Sequence, residues 1–159
     1  MNELGGYAFE DLRIGMWATF AKTITEADIV LFTAVSGDNN AIHINEEFAA
    51  GTIFKGRIAH GMLSASVISA AIANKLPGPG SIYVSQSLRF RVPVRAGDTV
   101  RATVTVKEMI PARFRVLLGT VCTVGGLVVI EGEALIALPA PPTIENVSPV
   151  AFEKEAAFA

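Results

Sequence analysis

The run "HGMLSASVISAAIANKL", His60 to Leu76, constrains this chain more than any other stretch. It carries no charge before Lys75. Ser64, Ala65, Ser66, Ser69, Ala70 and Ala71 are interspersed with Leu63, Val67, Ile68 and Ile72. A helix that is apolar on nearly every side must be buried, and its small residues let other backbones come close. "PGPG" at Pro77–Gly80 then stops it, because proline removes a donor and fixes φ. A chain of 159 residues that carries such a helix must wrap a layer around it.

The rest of the sequence supplies that layer. "SIYVSQSLRFRV", "DTVRATVTVKEM", "RFRVLLGTVCTV" and "LVVIEGEALIAL" change to period two and to β-branched residues, and read as four strands of about ten residues. "RAGD" makes the first turn, "IPA" the next connection, and Gly125-Gly126 a tight hairpin. Ahead of the long helix, "WATFAKT" (Trp17–Thr23) reads as a short strand and "TEADIVLFTAVSG" as a helix. Thr25 caps that helix with Asp28 three residues on, and Gly37 takes the left-handed position after its end. Ile29, Phe32 and Val35 or Ser36 share one of its faces. Asp38 to Ile42 read as irregular, and Asn45 caps a short helix containing "EEFAA". An antiparallel sheet curled around a central buried helix satisfies both patterns. This is the α+β hot-dog arrangement, expected as one domain over residues 1–138. A Pro- and Ala-rich tail, 139–159, is expected outside the core.

Composition closes several other routes. With 51% hydrophobic residues, 18% charged and a net charge of −2, the chain is neither disordered nor equipped for nucleic acid. Arg89, Arg91 and Arg95 in "RFRVPVR" form a solvated strand face or a local anion site. Cys122 is the lone cysteine, so no intrachain disulfide or thiolate metal cage can form, and its apolar setting reads as a buried structural thiol. The N-terminus lacks the pattern of a secretory signal. The longest apolar run, "VLLGTVCTVGGLVVI", is split by Gly-Gly and followed by Glu131. The expectation is a cytoplasmic protein with no membrane partner.

Against this apolar background stands "SGDNNAIHINEEFAA". Asp38 and His43, one of two histidines, lie five residues apart in a loop between helical patterns. An acid and an imidazole without a nucleophile suit general acid–base chemistry on a bound water. The carboxylate accepts one proton while the imidazole holds or relays another. Ser36 and Ser64 lack an elbow motif, so nucleophilic catalysis is disfavoured. A zinc site would need further ligands, and only His60 and scattered acids are on offer. The structural alternative makes Asp38 a helix-end residue bonding backbone amides and His43 a satisfied, half-buried histidine. A second feature bears on the choice. In "RIAHGML", Gly61 opens the buried helix, where unpaired amides and the absence of a side chain would suit an oxyanion. The glycine could equally just turn the chain into the helix.

"FTAVSGDNNAIHINEEFAA" resembles the hydratase-2 motif of MaoC-like dehydratases and (R)-specific enoyl-CoA hydratases. "RIAHGMLSASVISA" and "LPGPGSIYVSQSLRFRVPVRAGDTV" resemble the stretches that follow in those proteins, so the resemblance covers about Ala27 to Leu138. It implies that Asp38 and His43 are the catalytic pair, Asn40 the loop asparagine beside them, and Gly61 the amide that polarises the thioester carbonyl. Ala41 stands where that family usually has proline, which leaves Asn40 freer and the loop less rigid. The implied reaction is reversible hydration of a trans-2-enoyl-CoA to the (R)-3-hydroxyacyl-CoA, with an acyl-CoA thioester as substrate and no metal or redox cofactor. The alternatives are a dehydratase or hydratase of a specialised acyl-CoA or acyl-carrier-protein thioester, and a non-catalytic acyl-thioester-binding subunit. The resemblance further suggests that the buried helix lines the acyl pocket, with Ser69 and Ile72 as candidate lining residues. A homodimer is expected, because one curled sheet leaves open edges and an apolar outer face.

Overall fold

A computed structural model of the chain describes residues 1–2 and 4–139; the tail expected from Pro139 on lies, from Ala140, outside the described residues. The elements run β1 (Trp17–Thr23), α1 (Glu26–Ser36), α2 (Ala41–Ile44), α3 (Glu46–Ala50), α4 (Gly61–Asn74), β2 (Ile82–Phe90), β3 (Thr99–Ile110), β4 (Arg115–Val124) and β5 (Leu127–Ala137). Short 3₁₀ turns occur at Phe9–Asp11 and Pro111–Arg113. The five strands form one sheet in the order β1-β3-β4-β5-β2, with every neighbouring pair antiparallel.

The period-two pattern sets which way each strand faces. In β3, Val100, Ala102, Val104 and Val106 are buried while Arg101, Thr103 and Thr105 point outward. Leu118 of β4 and Ile130 and Ile136 of β5 complete the same inner face. Against it α4 presents Leu63, Val67, Ile68, Ala71 and Ile72, packing on β1, β3 and β4. A fully buried Val, Leu or Ile is worth about 1.5–3 kcal/mol, so this layer is the main source of stability. Register shifts at Tyr83/Ser85, Val106/Glu108 and Cys122/Thr123 interrupt three of the four ladders. Such bulges bend strands, which helps a flat ladder curl around a helix. The hot-dog arrangement is what results.

Local signals were reliable. Thr25 and Asp28 form a capping box at the start of α1, and Gly37 follows its end at φ 77°. Asn45 accepts the Phe48 amide at 3.0 Å to cap α3. Gly125 and Gly126, at φ 58° and 87°, make the two-residue turn between β4 and β5.

Four differences have physical causes. The residues around His43 are not irregular, because Asn40 accepts the Ile42 amide at 3.3 Å and starts the single turn α2. Val35 leaves the face shared by Ile29 and Phe32 and is exposed, since α1 meets the body only along its first turns. The "RAGD" turn does form, yet β2 and β3 are not neighbours. β2 pairs with β5 at one edge, and β3 lies second from the other. Finally, α4 is not covered all round: Met62, Ser66, Ser69 and Ala73 are exposed, because a single sheet wraps only one side of a helix.

Candidate active site

His43 sits on α2 with its side chain almost wholly buried, and its ring is fixed from one end. Nδ1 lies 2.8 Å from the carbonyl oxygen of Ile58. A carbonyl only accepts, so Nδ1–H donates and the neutral ring carries its lone pair on Nε2. That nitrogen faces the Asp38 carboxylate at 3.9 Å. The gap is too wide for a direct hydrogen bond and matches a water bridging both groups.

Asp38 comes from the loop after α1. Its amide donates to Ser36 Oγ at 3.1 Å, and its Oδ1 accepts the Asn40 amide at 3.2 Å. The side chain stays 51% exposed, with Oδ2 turned toward His43. Asn40 therefore shapes the turn between the two groups, its amide bonding to Asp38 and its side-chain oxygen accepting the Ile42 amide. Its ψ of 130° lies in the range a following proline would impose, although the next residue is Ala41. The loop thus reaches this conformation by side-chain capping.

Gly61 is the first residue of α4. The first bond of that helix runs from the Ser64 amide to the His60 carbonyl, so the amides of Gly61, Met62 and Leu63 precede it. Gly61 and His43 both line a cavity of about 370 Å³, walled by Phe54, Ile58, Phe90 and Val92 among others. A Cβ on Gly61 would lie 2.8 Å from the Phe90 ring, so the backbone is open to the cavity only because the residue is glycine.

The segment between α3 and α4 that carries Phe54 and Ile58 is clamped from three sides. Arg95 donates to the Arg57 carbonyl at 2.8 Å and to the Phe54 carbonyl. Arg57 pairs with Glu26 of α1 at 3.0 Å and Glu46 of α3 at 3.1 Å. The Ala59 amide reaches the Val94 carbonyl at 2.7 Å. Of the three basic residues in "RFRVPVR", Arg95 is thus a clamp, Arg91 pairs with Glu131, and Arg89 is exposed.

Ser69 and Ile72 are not brought to this cavity. Ser69 lies on the exposed stripe of α4, and Ile72 is 2% exposed within the core. Ser64, one turn earlier, does line the cavity. Cys122 is buried, and burial pushes its thiol up to about 12, which leaves it no role as a nucleophile.

Asp38, His43 and His60 each offer a ligand atom within 4.8 Å of the others, the one such cluster among the described residues. His60 Nε2 lies 2.9 Å from the Asp38 main-chain carbonyl, and His43 Nδ1 already serves Ile58. Free donors facing one another therefore reduce to His43 Nε2 and the Asp38 carboxylate, short of the three protein ligands usual for a catalytic zinc. The bond from His60 to Asp38 was not foreseen from the sequence. The signal available there was its place directly before Gly61.

A sheet curled around an apolar helix, with an acid and a base beside that helix's N-terminus, defines a hot-dog protein built for proton transfer on a small substrate. The chain belongs to the MaoC like domain family, which matches residues 14–124. It is 58% identical to an (R)-specific enoyl-CoA hydratase of Rhodospirillum rubrum, over 83% of this chain and 92% of that protein. A 3-hydroxybutyryl-CoA dehydratase of Methylorubrum extorquens is 48% identical over 87% of this chain and 88% of its own. Among solved structures, the unliganded R-hydratase PhaJ1 from Pseudomonas aeruginosa superposes with a TM-score of 0.80 at 42% identity, covering 92% of this chain and 96% of that one.

Proposed function

We propose that this protein is an (R)-specific enoyl-CoA hydratase that adds water reversibly across the double bond of a trans-2-enoyl-CoA. The observation that carries the reading is the 3.9 Å gap between His43 Nε2 and Asp38 Oδ2, beside a cavity that Gly61 opens to the helix N-terminus. In the forward direction a water held between Asp38 and His43 loses a proton to the pair as its oxygen bonds to C3. The π electrons move toward the thioester oxygen, where the Gly61 amide stabilises the enolate. The pair then returns a proton to C2. Each positioned proton transfer is worth about 10²–10⁴ in rate, and a single oxyanion donor about 10²–10³. The thioester itself acidifies C2, so the reaction as written calls on no metal or redox group. The close likeness to a 3-hydroxybutyryl-CoA dehydratase fits, since that name describes the same equilibrium read backward.

The same reading includes a homodimer. Among the described residues β2 is an edge strand bonded only to β5, and it exposes Ile82, Val84 and Phe90. An apolar, unpaired edge is a template for another chain. Phe90 also lines the cavity, so a partner docked there would lie at the site. The uncovered stripe of α4 is continuous with this expectation, and Ser69 and Ile72 remain candidates for an acyl pocket completed by the second copy. Among the described residues no helix is long and apolar enough to cross a membrane.

The test is direct. With crotonyl-CoA the enoyl-thioester absorbance should fall on addition of enzyme, and chiral analysis should return the (R)-3-hydroxy product. No turnover would favour a non-catalytic thioester-binding subunit, and turnover confined to acyl-carrier-protein thioesters would move the substrate class.

A further inference from the structure

We propose that His60 is a positioning residue that sets both halves of the acid–base pair, holding Asp38 by its main chain and backing the ring of His43. This rests on the hydratase reading for its kinetic consequence, though not for its geometry.

The residue is anomalous first as a buried polar group. It is 1% exposed, and among the described residues its Nδ1 has no hydrogen-bond partner. Burying an unpaired polar atom is destabilising, and an aliphatic or phenyl side chain would fill the space without that penalty. Such an atom in a folded core asks for an explanation.

The other ring nitrogen supplies one. His60 Nε2 lies 2.9 Å from the Asp38 carbonyl oxygen. That oxygen only accepts, so the proton sits on Nε2 and the unpartnered Nδ1 carries the lone pair. Thr33 Oγ1, whose hydroxyl donates to Ile29, lies 3.4 Å from the same nitrogen as a second, weaker acceptor. The remaining bonds of the Asp38 loop are local ones, to Thr33, to Ser36 and within the turn itself. They shape the turn without tying it to the body of the protein. Among the described residues, the bond from His60 is the one that joins Gly37–Ala41 to a distant segment.

The ring face does the second task. The His60 and His43 centroids are 3.9 Å apart with a tilt of 31°, and Phe32 packs on His60 at 5.0 Å. His43 is therefore fixed at Nδ1 by Ile58 and along its face by His60, which leaves Nε2 aimed at Asp38. His60 is also the N-cap position of α4, one peptide bond before Gly61. Carboxylate, imidazole and carbonyl-binding amide are thus all referenced to one residue. Its own nitrogens are used or buried, so it touches no substrate and is not a catalytic residue.

Two substitutions and one spectrum test this. In His60→Gln the amide nitrogen can take the place of Nε2 and donate to Asp38; His60→Leu fills the volume and donates nothing. Displacing reacting groups by an ångström can cost about 10²-fold. The expected result for His60→Leu is therefore a fall in kcat of about 10- to 100-fold with KM within threefold of wild type and a cooperative melt. His60→Gln should recover kcat to within about fivefold. Long-range ¹H–¹⁵N spectra of the unmodified protein should show His60 protonated on Nε2 and His43 on Nδ1. Wild-type kcat in folded His60→Leu, a glutamine variant as slow as the leucine one, or a His60 proton on Nδ1 would each overturn the proposal. Should the leucine variant fail to fold, the glutamine variant and the spectrum decide. Should the wild type not hydrate crotonyl-CoA at all, the hydratase reading falls, and the spectrum still decides the role of His60.

Discussion

Replacing Asp38 with asparagine separates a structural loop from a catalytic one. The structural contribution of the side chain is small and mostly retained. Its Oδ1 accepts the Asn40 amide at 3.2 Å, a bond an asparagine oxygen can also accept, and the residue is 51% exposed. Asp38→Asn should change stability by no more than about 0.5 kcal/mol, as for other surface substitutions. The chemical contribution is lost entirely, because an amide cannot take a proton from water across the 3.9 Å gap to His43. General-base catalysis of about 10²–10⁴ corresponds to a barrier increase of about 2.7–5.4 kcal/mol. The two effects differ by at least about fivefold in free energy, wide enough for one experiment to resolve. The assay is the rate of crotonyl-CoA hydration set beside a thermal melt for Asp38→Asn, for His43→Gln and for the pair. Both single variants should melt near wild type and turn over at least about 10²-fold more slowly. The double variant should lose far less than the product of the two losses, since both groups act on one water. A folded Asp38→Asn protein with near-wild-type turnover would refute the acid–base reading and take the hydratase assignment with it.

Three further outcomes follow from the same geometry. Ala41→Pro should stabilise the protein by about 0.4–1 kcal/mol and leave turnover intact, because Ala41 is the first residue of α2 and Asn40 already holds ψ 130°; a lower melting temperature would show that the site resists the ring. Gly61→Ala should fold, because the half-exposed Phe90 ring that its methyl meets at 2.8 Å can move, yet turnover should fall at least about tenfold as the cavity at the amide is filled; unchanged rates would show that the carbonyl is bound elsewhere. Asp28, whose carboxyl is lowered to about 2 chiefly by hydrogen bonds from Thr25 and Lys22, stabilises the fold only while ionised. Its folded value lies below its unfolded one, so the advantage of wild type over Asp28→Asn should be full above about pH 5 and be lost as pH falls through about 2 in paired melts.

The sequence alone determined everything that depends on neighbours along the chain. Period two and β-branched residues gave four long strands within two residues of their ends, and "WATFAKT" coincides with β1. Thr25, Asp28 and Gly37 bounded α1, because caps and a left-handed glycine act over one turn. The family's motif marked Asp38, His43 and Gly61, and the structure brings the first two to one gap and opens the third onto the cavity beside it. What the sequence could not carry is the identity of neighbours across space. The "RAGD" turn is legible, yet its strands separate to distant positions, because partners are chosen by which apolar faces close on α4. The same closure leaves Met62, Ser66, Ser69 and Ala73 uncovered, although their uncharged side chains are those of a buried helix. His60 is the sharpest case. Read locally it is a lone polar residue before a glycine; its bond to Asp38 spans 22 positions and its stack on His43 17, and no periodicity encodes a contact at those separations. Only the packed helix and sheet, by fixing where α4 begins relative to α1 and α2, place its ring between the two groups it holds.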